Sequence, residues 1–255
     1  MIDERWKELI RSSQPPFWRL LAEAAGGAVW ERDGVQAAIL PGAPERSIFN
    51  SVFYQRGEPL IGALDELADV YDRAGVRAWT VWVPEADAAV AEALAAAGHA
   101  LDANPRDMGM ELGDFHPPEA DPELVLREET DMETLARINE VAYGWAPGEF
   151  DPVAEAVLPD FRVYLADLEG ETVATAATWD HGSDCVIEWV ATLPEARGRG
   201  VSTRLMARAL SEAPERGLRT TTLQATKLGR PVYERLGYRD FGAVQMWERR
   251  RAQPQ

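Results

Sequence analysis

The residues whose types and spacing suggest chemistry form the segment Arg197-Gly198-Arg199-Gly200-Val201-Ser202-Thr203. An apolar run typical of a strand precedes it, and a pattern typical of an amphipathic helix follows it. The first N–H groups of a helix lack partners and carry partial positive charge, and glycine lets a backbone approach an anion closely. The segment therefore predicts a pyrophosphate cradle, to which Arg197 and Arg199 can add positive charge.

Glycine-rich turns before helices are common, so the surrounding sequence must decide between phosphate-binding folds. No Gly-Lys-Ser or Gly-Lys-Thr is present here, which excludes a P-loop. The turn follows the fourth predicted strand of its domain, and the chain has no G-x-G-x-x-G motif. A dinucleotide-binding fold is therefore disfavoured.

The charge of the chain narrows the class of partner. Its 43 acidic and 26 basic residues give a formal net charge of -17. A nucleic-acid partner is not expected, because binding phosphate backbones needs basic surface. A cationic small molecule is compatible with the charge, although solubility alone could explain it.

Cysteine and histidine usage argues against metal and disulfide chemistry. The single cysteine, Cys185, permits no intrachain disulfide and is predicted to be a buried structural thiol rather than a nucleophile. Three histidines make a multi-histidine metal site unexpected. No apolar run approaches membrane-spanning length, and the charged N-terminus lacks a signal core, so we expect a cytoplasmic protein with no membrane partner.

A segment rich in proline and acids, residues 113–122, reads as a linker that separates a domain at 1–115 from one at 116–255. The second domain is predicted to run β-α-(α)-β-β-β-α-β-α-β. Its predicted strands are Leu124–Arg127, Phe161–Leu168, Thr172–Trp179, Cys185–Leu193, Thr220–Ala225 and Phe241–Glu248. Its main predicted helices run from a Thr130/Glu133 capping box to Ala142, from Gly200 to Glu215, and from Arg230 to Leu236.

The end of this pattern recurs in the first half. Gly75-Val76-Arg77 matches Gly217-Leu218-Arg219, and Gly98-His99 matches Gly237-Tyr238. Helix, strand, helix, glycine-aromatic and strand follow in the same order, which favours a duplication over chance similarity. The predicted fold class is α/β (α+β), with two related domains that each have a mixed central sheet flanked by helices.

Two motifs in this order resemble the Gcn5-related N-acetyltransferase (GNAT) superfamily. They are Arg197-x-x-Gly200-x-Ser202 and Tyr233-Glu234-Arg235-Leu236-Gly237-Tyr238. The resemblance covers residues 124–249 well and the first half weakly. It implies acetyl-CoA as co-substrate, with no metal.

The resemblance also implies roles for individual residues. The backbone of Val190, Ala191 and Thr192 would hold the acetyl carbonyl and the pantetheine arm. The amides from Gly198 to Thr203 would hold the pyrophosphate. Tyr233 would protonate the leaving thiolate. A core aromatic on a short helix is the alternative, and the Gly237-Tyr238 that follows favours the acid.

Three positions depart from the family pattern. Ser202 stands where glycine or alanine is usual, and Lys227-Leu228-Gly229-Arg230 replaces an expected asparagine. Gln224 stands where some members carry a catalytic glutamate. Glu188 is then the candidate base, because strand alternation would place it on the face of Val190 and Thr192; a solvated or cation-binding carboxylate is the alternative.

The acceptor side is less well defined. The family resemblance implies that Asn139, Tyr143, Trp145, Glu149 and Asp151 line an acceptor pocket. Aromatic rings with acids suit a cationic amine, and ordinary packing is the alternative. The predicted function is acetyl transfer from acetyl-CoA to an amine by direct attack. A non-catalytic coenzyme A sensor and an acyltransferase for longer chains remain open.

The first domain is predicted to lack a coenzyme site. Gln55-Arg56-Gly57-Glu58-Pro59 aligns with the glycine-rich segment, but Glu58 would repel a phosphate and Pro59 has no N–H. Leu94 stands where Tyr233 stands in the second domain.

Overall fold

The computed structural model describes residues 2–119 and 121–251; Ala120 of the predicted linker lies outside them. The helices are α1 (Ile2–Ala24), α2 (Gly57–Arg73), α3 (Ala88–Ala96), α4 (Met132–Tyr143), α5 (Asp151–Ala154), α6 (Val201–Glu212) and α7 (Arg230–Leu236). The strands are β1 (Ala28–Arg32), β2 (Val35–Ile39), β3 (Ser51–Tyr54), β4 (Ala78–Pro84), β5 (Ala100–Ala103), β6 (Arg106–Glu111), β7 (Leu124–Glu129), β8 (Phe161–Leu168), β9 (Glu171–His181), β10 (Asp184–Thr192), β11 (Thr220–Ala225) and β12 (Arg239–Arg250).

The chain forms two compact units. The second-half unit consists of the start of the chain to Ile10 together with Arg106–Phe241. The first-half unit consists of Arg11–Pro105 together with the chain from Gly242 onward. Both are mixed α/β structures, as the sequence predicts.

The sheet of the second-half unit has the strand order β6-β11-β10-β9-β8-β7. Its neighbours are antiparallel except β10 and β11, which are parallel. Helices α6 and α7 cover one face through a core that includes Leu205, Leu210, Leu223 and Leu236. Helix α4 packs on β9 and β10 from the other face, so residues of β10 point alternately towards α6 and α4.

The sheet of the first-half unit has the order β1-β2-β3-β4-β12, and β5 also pairs with β12. Strands β3 and β4 form its parallel pair. Its core includes Leu60, Leu67 and Tyr71 of α2 and Val90 and Leu94 of α3.

The two units are not contiguous in sequence. Strand β6 ends the first half of the chain, yet it pairs with β11 along its whole length. The C-terminal strand β12 pairs with β4 over Val244–Arg250. The division after residue 115 that the linker suggested therefore separates two strands from the sheets that they complete.

Within the second half, the predicted elements agree with the structure to within a few residues. The prediction that Thr130 caps α4 is wrong. The N-cap is Asp131, whose Oδ1 accepts the Thr134 N–H at 2.8 Å. The helix predicted over Gly200–Glu215 is α-helical only to Glu212, and a 3-10 turn continues over Ala213–Arg216.

Candidate active site

The parallel strands β10 and β11 pair only at one end. Their register runs from Asp184 opposite Thr220 to Val186 opposite Thr222 and ends there. Beyond this point β10 runs on to Thr192 and β11 to Ala225, so the strands diverge. The opening at the carboxyl end of parallel strands is where α/β sheets commonly bind ligands.

A bulge in β10 lies within this opening. Trp189 has a φ of 48°, and the register with β9 shifts between Glu188 and Ala191. Three steps along β10 therefore correspond to two along β9, which puts Glu188 and Ala191 on the same face. The alternation that placed Glu188 with Val190 and Thr192 is thus interrupted: Val190 packs with the α6 core, and Ala191 packs with α4.

Helix α4 holds the bulge. Asn139 is fully buried, and its Nδ2 donates to Thr175 Oγ1 at 3.2 Å and to Trp189 O at 3.5 Å. The Tyr143 hydroxyl donates to Val190 O at 3.4 Å. Asn139, predicted to line the acceptor pocket, lies beneath the bulge and supports its backbone.

The glycine-rich segment forms a loop with exposed amides. Gly198 and Gly200 have φ angles of 77° and 75°, a region that favours glycine. Among the hydrogen bonds of the described residues, none is donated by a backbone N–H of residues 198–203. The start of α6 thus offers a run of unpaired donors, the geometry of a backbone anion site.

The arginines around this loop have different partners. Arg197 donates through Nε to Thr192 O at 3.1 Å and through Nη2 to Ala142 O at 2.9 Å, so it fastens the loop to β10 and α4. Arg199 Nη2 lies 3.4 Å from Glu169 Oε1 and 3.9 Å from Glu123 Oε2. The direct phosphate contact predicted for Arg197 would require it to leave these carbonyls or to use its remaining N–H groups.

Tyr233 lies on α7 with 8% of its surface exposed. Burial raises its pKa well above the usual range, and Tyr143 and the charge of Glu188 raise it further. The phenol therefore holds its proton throughout the neutral range. A Cβ at Gly229 would lie 3.0 Å from the Tyr233 ring, so the glycine of the divergent Lys227–Arg230 segment leaves room for that ring.

Glu188, Tyr143 and Tyr233 influence one another electrostatically. The pKa of Tyr143 is raised by desolvation and by Glu188, although 47% of the residue remains exposed. On β11, Gln224 Nε2 donates to Asp107 Oδ1 at 3.2 Å. Gln224 stands where some family members carry a glutamate, and here the Asp107 carboxylate of β6 lies beside it.

Aromatic rings follow one another on the α4 side of the bulge. Centroid distances are 5.8 Å for Tyr143–Trp145, 5.9 Å for Trp145–Phe150 and 5.1 Å for Phe150–Trp189. Glu149 Oε2 accepts the Ala146 N–H at 2.7 Å, so this residue caps a turn of the same loop. Asp151 begins α5, with its carboxylate close to Gly148.

One buried carboxylate was not predicted from sequence. Asp184 is 1% exposed, and it accepts hydrogen bonds from Thr220 Oγ1 at 2.7 Å and Thr222 Oγ1 at 2.5 Å. It joins β10 to β11 at the closed end of their opening. Burial raises its pKa to about 6, although both threonine hydroxyls act to lower it. The sequence feature that could have indicated this buried carboxylate is the pair of threonines two residues apart on β11, Thr220 and Thr222.

Cys185 is fully buried, as the sequence predicts, and burial raises its pKa to about 12. Among the described residues, no group of three or more His, Cys, Asp or Glu side chains could hold a metal ion. No helix in the described part of the chain is long and apolar enough to cross a membrane.

The second-half unit thus combines divergent parallel strands, a bulged strand, unpaired loop amides and a buried phenol within one α/β sheet structure. Residues 159–240 match the family model described as "Acetyltransferase (GNAT) domain". This match spans β8 to α7 and makes that part of the chain similar to acetyltransferase domains of the Gcn5-related N-acetyltransferase superfamily. No curated protein matches the sequence significantly.

Solved structures share the fold over most of the chain. A GCN5-related N-acetyltransferase from Kribbella flavida is 17% identical, with a TM-score of 0.72, over 94% of this chain and 95% of its own. One from Sphaerobacter thermophilus is 18% identical, with a TM-score of 0.62, over 85% and 76%. A tandem GNAT protein from the clavulanic acid biosynthesis pathway is 14% identical, with a TM-score of 0.58, over 87% and 79%.

Proposed function

We propose that this protein transfers the acetyl group of acetyl-CoA to the amine of a cationic small molecule, by direct attack, at a single site in its second-half unit. The observation that carries the proposal is the opening between β10 and β11. The loop that follows β10 has unpaired amides at residues 198–203, and Tyr233 is close enough to Glu188 of β10 for that carboxylate to raise its pKa. The pyrophosphate would bind the amides, and the pantetheine arm would follow β10 along Val190 to Thr192.

The reaction requires two proton movements. The amine nitrogen attacks the thioester carbonyl carbon, the C–S bond breaks, and the amine loses a proton to Glu188, directly or through water. The thiolate that leaves takes the Tyr233 proton, giving an amide and free coenzyme A.

The electrostatic interaction between Glu188 and Tyr233 favours both proton transfers. Ionised Glu188 raises the pKa of Tyr233, so a proton arriving on Glu188 removes that contribution. Tyr233 then becomes a stronger acid as the thiolate forms. Each proton transfer thereby favours the other.

The acceptor class rests on the α4 side of the bulge. Tyr143, Trp145 and Trp189 are at least partly exposed, and the buried Phe150 packs against both tryptophans. Glu188 and Glu149 add negative charge on the same side of the bulge. Cations bind well to such combinations. The net charge of -17 adds a long-range attraction for a cationic acceptor. A cytoplasmic location and the absence of nucleic-acid and membrane partners remain predictions.

Calorimetry with acetyl-CoA tests the coenzyme site and should give one site per chain. A panel of di- and polyamines is then assayed for thiol release with wild type and with Glu188→Gln. We expect turnover in the wild type and a loss of about 100-fold or more in the variant. Coenzyme binding without turnover on any amine would instead support a coenzyme A sensor, and no binding would refute both.

A further inference from the structure

The guanidinium of Arg204 lies over the glycine-rich loop, one helical turn after Gly200. The Arg204 amide donates to Gly200 O at 3.2 Å, and its Nη1 lies 3.5 Å from the same oxygen. A Cβ placed on Gly200 would come within 2.5 Å of Nη1. The side chain therefore occupies the space next to the free loop amides.

Arg204 has a donor that the described structure does not use. Its Nε is buried and makes no hydrogen bond among the described residues. The nearby carboxylate, Oδ2 of Asp121, is 3.6 Å away, which is beyond hydrogen-bond distance. A buried cationic N–H without an acceptor is costly, and here it adjoins an anion-binding backbone.

Asp121 holds its position for a local reason. Its Oδ1 accepts the Glu123 N–H at 3.1 Å, and its carbonyl accepts the Leu124 N–H at 3.2 Å, so it forms the turn that leads into β7. The carboxylate thus stands near Arg204 as a weak ion pair, with both side chains about one-quarter to one-third exposed (26% and 30%). Such pairs contribute little to stability.

The other loop arginines are less suitable for a phosphate. Arg197 is bonded to two carbonyl groups, and Arg199 faces Glu169 and Glu123. Arg204 alone of the three combines a position over the loop with a buried unused donor.

We propose that Arg204 is a phosphate ligand of the coenzyme and that it exchanges its weak contact with Asp121 for a coenzyme phosphate on binding. This proposal rests on the proposed function. Asp121 then acts as a competitor for the guanidinium, so the segment joining the two halves of the sequence tunes coenzyme affinity.

A double-mutant cycle tests the exchange. Coenzyme A and 3′-dephospho-coenzyme A are titrated into wild type, Arg204→Gln, Asp121→Asn and the double variant. Arg204→Gln should weaken binding about tenfold or more. Asp121→Asn keeps the turn, because asparagine can accept the Glu123 N–H, and should tighten binding about two- to fivefold. That gain should disappear in the Arg204→Gln background.

The two ligands identify the phosphate. An equal loss with both assigns Arg204 to the pyrophosphate, and a loss with coenzyme A alone assigns it to the 3′-phosphate. Arg208→Gln is the matched control, because Arg208 lies one turn further on α6 and bonds Glu212 and Leu126 O. It should bind like the wild type.

The proposal is overturned if Arg204→Gln binds coenzyme A as tightly as the wild type does. It is also overturned if Asp121→Asn still tightens binding in the Arg204→Gln background, because such a gain would be a general effect of charge. Failure of the wild type to bind either ligand would instead refute the coenzyme site itself.

Discussion

The segments Asp184–Glu212 and Ser51–Arg73 have the same strand–loop–helix order, but they differ in what surrounds the helix start. Each begins with a short parallel pairing: Asp184–Val186 with β11 in one, and Ser51–Val52 with β4 in the other. Each strand then leads into a helix, α6 or α2. The scaffold is shared, and the difference lies in the loop and in what fills the opening.

In the first-half unit, the opening is filled. A Cβ on Gly57 would lie 2.7 Å from Val90 Cγ2, so the start of α2 packs against α3. The Tyr54 hydroxyl donates to Asp87 Oδ2 at 2.8 Å across the same region. Glu58 adds negative charge to the first turn, and Pro59 contributes no N–H.

In the second-half unit, a longer loop separates strand from helix. Residues 193–200 include two glycines with positive φ, and the amides of residues 198–203 are left without backbone acceptors among the described residues. The same strand–loop–helix scaffold therefore encloses packed side chains in one unit and presents a loop with unpaired amides in the other. Loop length, glycine and the residue at the first helical turn decide between them.

The largest expected effect is a loss of acetyl-CoA affinity when the glycine-rich loop receives a carboxylate like that of Glu58 in the first-half unit. Gly200→Glu should lower acetyl-CoA affinity by more than about 100-fold, because a carboxylate would face the pyrophosphate from a backbone position that disfavours side chains. Calorimetry measures the change. Gly200→Gln carries the same backbone strain and the same Cβ contact with Arg204 Nη1 but no charge, and it should lose much less affinity. If Gly200→Glu kept its affinity within tenfold of the wild type, the residue at this position would not decide whether the loop binds a phosphate.

A second effect concerns the position that is Tyr233 in one unit and Leu94 in the other. Tyr233→Phe should lower kcat about 100-fold, because it removes the proton donor, while the Kd for acetyl-CoA changes less than about twofold. Tyr238→Phe is the matched control. It removes a buried hydroxyl that contacts Thr221 Oγ1 at 2.8 Å, so it should cost about 1 kcal/mol of stability and leave kcat unchanged. Equal kcat values for the two variants would exclude Tyr233 as the acid.

Local signals made much of the second half predictable. Gly217 and Gly237 end their helices with φ angles of 86° and 101°, and Glu169-Gly170 forms the hairpin turn with positive φ at both residues. These features depend on neighbours in sequence, so composition and spacing reveal them.

The features that sequence did not reveal depend on distant partners. Strand β6 has the same apolar pattern whichever sheet it joins, so its pairing with β11 is not encoded locally. The bulge at Trp189 is held by Asn139 and Tyr143 from another element, and it reversed the expected facing of Glu188. The hydrogen bonds from Arg197 to Thr192 O and Ala142 O also depend on the fold, because Ala142 is distant from Arg197 in the sequence.

The smallest expected effect is on stability, and it comes from Asp184, at the closed end of the opening between β10 and β11. The first-half counterpart is Ser51, which accepts a bond from Trp82 Nε1 at 2.9 Å and carries no charge. The pKa of Asp184 is raised to about 6 when folded, so the folded state holds a proton that the unfolded state has released between pH 4 and 6. The free energy of unfolding should therefore fall by about 2 to 3 kcal/mol as pH rises through this window.

Asp184→Asn keeps an acceptor for one threonine hydroxyl and removes the titration. Urea unfolding at pH 4, 5, 6 and 7 should show that the variant loses the decline seen in the wild type, whereas Ser51→Ala leaves that decline in place. A wild-type slope that survives in Asp184→Asn would assign the pH dependence to another group. A slope that vanishes would show that a buried charge at the closed end of one opening, and not of the other, makes the strand pair that frames the proposed coenzyme site weaker at neutral pH than at pH 4.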